Sequence, residues 1–100
     1  MKITIYQMKE TTHKFKSYEW LEKDGVDVVK DFDNLYNKVY VYNNYTSDTN
    51  NVYEVLEDLF CIFNLHHPSD YRGHSLSTSD VIDVDGVKYF CDSVGWKKLN

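Results

Sequence analysis

The sequence predicts an α+β fold: a small, mostly antiparallel sheet with one main amphipathic helix packed on it and a C-terminal β-hairpin. Three observations carry that prediction. Val52, Val55, Leu56, Leu59, Phe60 and Phe63 recur at three- and four-residue spacing, which stacks them on one helix face. Ile3 and Ile5 alternate with Thr4 and Tyr6, the period of a strand with one buried face. Two β-rich runs, 80–84 and 87–92, flank Asp85-Gly86, a dipeptide that accepts the positive φ of a type I′ turn.

Taken in order, the first strand runs from Lys2 to Met8. Thr11 or Thr12 then caps a short helix through about Lys23, closed by Asp24-Gly25 because glycine adopts the left-handed conformation cheaply. Val26, Val28 and Val29 read as a short strand, with Asp27, Asp31 and Asp33 as an acidic edge. Val39-Tyr40-Val41-Tyr42 is a further strand by its β-branched and aromatic content, and Asn43 through Asn51 is a polar loop. Asn51 caps the main helix, and Glu54 returns the bond as in a capping box. Pro68 cannot continue that helix, which therefore stops by about Asn64. In the hairpin, Ile82 faces Tyr89, Val84 faces Val87, and Asp83 faces Lys88 as a favourable cross-strand pair. Gly95-Trp96 is a final bend and anchor. Between helix and hairpin, residues 63–82 follow neither period and hold the only proline, the only arginine and three of the four histidines.

One hundred residues at 42% hydrophobic content support one core and one domain. Eleven basic against sixteen acidic residues give a formal charge of −5. That sign argues against direct DNA binding, which draws its affinity from Lys and Arg, and fits a partner that is itself basic; it also keeps a small protein soluble. No apolar run resembles a signal peptide or approaches the roughly 18–20 residues that cross a bilayer, so the expectation is a cytoplasmic protein without membrane contact. Cys61 and Cys91 sit among apolar neighbours. Buried free thiols in a reducing compartment are expected, with a disulfide or a reactive thiol as the alternatives.

Gly73-His74-Ser75-Leu76-Ser77 invites comparison with the nucleophile elbow G-x-S-x-G, but the final glycine is replaced by serine and a hairpin follows. A turn in which Ser75, Ser77 and Ser79 bond backbone amides is the expected alternative. His66, His67, Asp70 and His74 match no tetrahedral zinc spacing, and neither cysteine lies among them. The acidic residues lie on a helix face and around a loop, where solvation is the ordinary role. Arg72 is expected to bridge Asp70 or Asp80. No cofactor is expected.

Leu59-Phe60, Phe63-Asn64, His67-Pro68, Asp70-Tyr71-Arg72-Gly73-His74-Ser75-Leu76-Ser77, Ser79-Asp80-Val81, Tyr89-Phe90, Asp92-Ser93 and Gly95-Trp96 together resemble the YodL-like domain. The first strand, Ile3-Thr4-Ile5-Tyr6-Gln7, is similar to that family's opening. Thr78 and Trp96 depart from it, standing where small residues and Phe are frequent. The resemblance implies a setting: firmicute genomes, phages, plasmids and conjugative elements, often beside anti-defence functions. It carries no catalytic residue.

The leading expectation is a non-enzymatic inhibitor from a mobile element that binds a host defence protein, above all an anti-CRISPR acting on an RNA-guided nuclease such as Cas9 or its guide-RNA complex, whose basic channel suits an acidic, Tyr-rich surface. The alternative is an adaptor or regulatory module on a housekeeping protein such as a cytoskeletal filament. The candidate contact residues are Asp31, Asp33, Tyr36, Tyr40, Tyr42, Tyr45, Glu54, Glu57 and Asp58, with Tyr40, Tyr42 and Tyr45 serving equally as a homodimer edge; the chain is expected as a monomer or homodimer.

Overall fold

In the computed structural model, which describes residues 1–100, Asp85 and Gly86 take φ values of 51° and 94°. This left-handed pair folds β3 (Val81–Val84) onto β4 (Val87–Cys91). The register is the expected one: Ile82 faces Tyr89, Val84 faces Val87, and Asp83 faces Lys88 with 3.6 Å between carboxylate and ammonium. β1 (Ile3–Met8) pairs with β3 on one side and with β2 (Tyr36–Tyr42) on the other. Beyond β4, Gly95 at φ 71° turns the chain into a short fifth strand, β5 (Trp96–Lys98), where only a bend and anchor were expected. The sheet is antiparallel throughout, in the order β2-β1-β3-β4-β5.

Both sheet faces are covered, so β1 does not have the single buried face its alternation predicts. Ile3 and Ile5 join Ile82, Val84 and Tyr89 under α3 (Val52–Leu65), which buries Val55, Leu56, Leu59 and Phe63. Six large apolar side chains on that stripe are worth about 1.5–3 kcal/mol each when fully buried, before entropy is subtracted; Val52 and Phe60 are only half-buried. The opposite face packs Met8, Val81 and Phe90 against Leu21, Val28, Phe32 and Tyr36. A β-bulge makes this possible: Ile5 faces Tyr40 and Tyr6 faces Lys38, leaving Val39 as an extra residue in β2. Tyr40 and Tyr42 therefore share the α3 face, while Tyr36 crosses to the other.

The covering elements on that second face depart most from expectation. Thr11–Phe15 forms turns, with Phe15 at φ 68°, and α1 (Tyr18–Lys23) begins only at Ser17, whose hydroxyl accepts from Trp20 N at 3.1 Å. The expected strand at Val26–Val29 is a turn: the Asp27 carboxylate accepts from Lys30 N at 3.0 Å and winds the chain toward α2 (Phe32–Leu35). Gly25 does close α1 with a positive φ of 80°. For α3, Asn51 is the cap, accepting from Tyr53 N at 3.0 Å. Its own N–H donates to Thr49 Oγ1 at 3.1 Å, so Glu54 makes no return bond. The helix ends one residue past Asn64. No helix is long and apolar enough to cross a membrane.

Candidate functional site

The candidate contact residues separate into surface and core. Asp31, Asp33, Glu54, Glu57 and Asp58 are exposed, and none takes part in an ion pair within the chain. Glu54 and Asp58 line a shallow groove of about 700 Å³ with Asp48 and Cys61, between α3 and the loop before it. The tyrosines are not the exposed cluster the sequence suggests. Tyr45 is 7% exposed, its ring set edge-on to Tyr42 at 5.6 Å. Tyr36 is 5% exposed and donates its hydroxyl to Ser79 O at 2.6 Å. Burial pushes the Tyr36 hydroxyl well above the usual phenol range, with Asp80 adding to the rise. Tyr40 and Tyr42 are half-buried, and Tyr40 donates to Asp70 Oδ1 at 2.8 Å. Only the acidic residues and parts of these two rings are available to a partner.

The irregular segment meanwhile assembles a polar knot at the end of the α3-side core. Gln7 follows Ile3 and Ile5 on the buried face of β1, where an amide is out of place unless bonded. Its Oε1 accepts from His74 N at 3.2 Å, which fixes the amide orientation. Its Nε2 then points at His74 O (2.9 Å), Tyr71 Oη (3.2 Å) and Asp80 Oδ2 (3.2 Å). Tyr71 donates its own proton to His74 O at 2.6 Å, and its ring stands edge-on to Phe63 at 5.0 Å. Burial raises the Tyr71 phenol to about 12. Gly73 passes so close that a Cβ there would lie 2.6 Å from Tyr71 Oη and 2.8 Å from Gln7 Oε1. Phe15, held at its positive φ, donates its N–H to Ser79 Oγ at 3.1 Å and lays its ring 5.7 Å from the His74 imidazole.

Asp80 is 1% exposed, and Ser77 N donates to its Oδ2 at 3.0 Å. Its Oδ1 has no hydrogen-bond partner and lies 3.8 Å from His74 Nε2, which is likewise bare. His74 Nδ1 sits 2.7 Å from Ser75 O and 3.2 Å from Gln7 Nε2; with the proton on Nδ1, toward the nearer carbonyl, Nε2 is left as an acceptor. One further proton, on Asp80 Oδ1 or on His74 Nε2, turns the two bare atoms into a donor and an acceptor. Burial drives the Asp80 carboxyl up to about 7, against the smaller lowering effects of Ser77 N, Gln7 and Lys14. His74 thus turns Nδ1 to a backbone carbonyl and Nε2 toward the buried Asp80 carboxyl without bonding it. His74 and Ser75 line none of the four surface grooves.

Other expectations for this segment are revised. Arg72 bridges no carboxylate; its Nη1 donates to Ser69 O at 2.7 Å and Tyr71 O at 3.3 Å. Of the three serines expected to bond amides, only Ser79 does so; the Ser77 hydroxyl has no partner, and its N–H goes to Asp80. Cys61 is exposed, because position 61 falls on the outer side of α3; Cys91 is buried and free. Gln7 and Phe15 were not singled out from the sequence. For Gln7 a signal exists, an amide at the third position of the Ile3, Ile5 alternation; for Phe15 there is none.

The fold and the knot define a small α+β protein whose polar interior is a structural tie between β1, the irregular segment and the hairpin. The YodL-like domain model matches residues 2–100, and the chain belongs to that family. No curated protein and no solved structure matches it.

Proposed function

We propose that this chain is a non-enzymatic inhibitor, carried by a mobile element such as a phage or plasmid, that binds a host defence protein inside the bacterial cell. An anti-CRISPR acting on an RNA-guided nuclease such as Cas9 is the form of that reading the chemistry favours. The observation that carries it is the acidic surface of α3: Glu54, Glu57 and Asp58 are exposed, Asp48 stands across the groove, and no lysine or arginine of the chain pairs with any of them. A nuclease that holds RNA and DNA presents the complementary charge in its channel. The net charge of −5 adds long-range attraction. His74 and Ser75, the pair a hydrolase reading would need, line none of the surface grooves, which supports binding over catalysis.

The test is binding to a purified guide-loaded nuclease at a series of salt concentrations, with cleavage measured alongside. Binding and inhibition that are strong at low salt and weaken as salt rises are expected. Absence of binding at low salt overturns the reading. Altered cell shape on expression in a host without any defence system would favour a housekeeping target such as a cytoskeletal filament instead.

A further inference from the structure

A second groove, of about 370 Å³, opens between α3 and the β4–β5 turn. Phe60 and Trp96 form its apolar wall, set edge-to-face with centroids 6.3 Å apart. Leu76 and Cys91 lie in its lining, and Glu57 and Asp92 bring two carboxylates to it. No lysine, arginine or histidine lines it. Lys97, adjacent in sequence to Trp96, sends its ammonium 4.8 Å over the Tyr18 ring, on the face of the sheet covered by α1. The groove's negative charge is therefore left uncompensated by the chain itself.

We propose that this groove is the docking site for an arginine side chain of the partner protein. The assignment rests on the acidic-inhibitor reading only for the identity of the partner, and on the groove's own chemistry for the arginine. A guanidinium is planar, weakly hydrated and always charged, so it can lie against an aromatic face while its N–H fork reaches carboxylates. The Phe60–Trp96 wall offers the face. Asp92 is held in place through Oδ1, which accepts from Tyr18 N at 3.1 Å and Ser93 N at 2.8 Å, and its Oδ2 carries no bond within the chain. Glu57 is exposed and unpaired. The Cys91 thiol registers this field: burial first, and then the charges of Asp80, Glu57 and Asp92, together push it up to about 12. Charge, an aromatic face and a rigidly held carboxylate thus converge on one small cleft. Sequence patterning placed Phe60 on the apolar stripe of α3, Asp92 at the end of the hairpin and Trp96 at the final bend, with no ligand assigned to any of them.

The experiment is an NMR titration of the full chain with N-acetyl-arginine amide, and in parallel with N-acetyl-citrulline amide, which keeps the shape and loses the charge. Saturable shifts of the Trp96 indole N–H and the Gly95 amide are expected with arginine, with citrulline about fivefold weaker or more. Glu57→Gln, a surface change that leaves the fold intact, should weaken the arginine response severalfold. Equal responses to the two probes, no shift at Trp96 and Gly95, or an unchanged response in Glu57→Gln would each overturn the assignment. A chain that takes arginine here yet ignores the nuclease refutes that partner and leaves the groove standing. A chain that binds the nuclease without an arginine response refutes the groove alone.

Discussion

The carboxyl of Asp80 stands at the start of the hairpin with one oxygen bonded and the other bare, and its ordinary pKa of 3.8 rises to about 7 because the fold keeps water away. A raised acid pKa in the folded state means the folded chain holds a proton that the unfolded chain releases. The stabilisation is fully present below about pH 4 and is lost as the pH climbs toward 7 and beyond. Asp80→Asn keeps an acceptor for Ser77 N and supplies a permanent N–H toward His74 Nε2. Urea unfolding should therefore show the wild-type chain losing on the order of 1–3 kcal/mol more than Asp80→Asn between pH 5 and pH 8. Parallel pH curves for the two proteins would mean that Asp80 is ionised throughout. None of this was legible in the sequence, where Asp80 is one acid among sixteen. Its burial depends on Gln7, which is 73 residues away along the chain.

At the scale of elements, the parts read correctly are those whose signal is local and repeated. The register of β3 and β4 follows from two turn residues, and α3 from six side chains on one stripe. The parts misread are short. α1 spans six residues and α2 four, too few for a helical period to emerge, and α1 is held by Leu21 in a core built from distant strands. In β2 simple alternation would place Tyr36, Tyr40 and Tyr42 on one face; the bulge at Val39 sends Tyr36 to the other, which is why a tyrosine expected at the surface is in the core. The cap of α1 offers a direct check. Ser17→Ala should cost about 1 kcal/mol, because the Trp20 N–H loses its acceptor, whereas Thr12→Ala should cost much less. Chemical denaturation of both variants decides it. An equal loss in the two would restore the longer helix that the sequence suggested.

For the molecule as a whole, charge is distributed unevenly over a sheet whose free edges carry lysines, Lys38 on β2 and Lys97 and Lys98 on β5, while the outer face of α3 carries acids. Lysines on an edge discourage another strand from adding there. Glu54, in the first turn of α3, complements the helix dipole, but Glu57 and Asp58 have no such structural use. Glu54 and Asp58 are four residues apart and Glu54 and Glu57 three, spacings at which like charges cost a helix a few tenths of a kcal/mol per pair, about 0.2–0.5. Replacing Glu54 by Gln and Asp58 by Asn together should leave stability within about 0.5 kcal/mol of the parent, because the relieved repulsion offsets the lost interaction of Glu54 with the helix dipole. If the acidic face steers the chain to a basic partner, the same double variant should associate severalfold more slowly with the guide-loaded nuclease at low salt. The difference should vanish at high salt, and dissociation should change little, since long-range attraction acts mainly on encounter. Stopped-flow association at two ionic strengths separates the possibilities. A slower association that persists at high salt would place these two residues inside the contact, and an unchanged rate at low salt would remove α3 from the recognition surface.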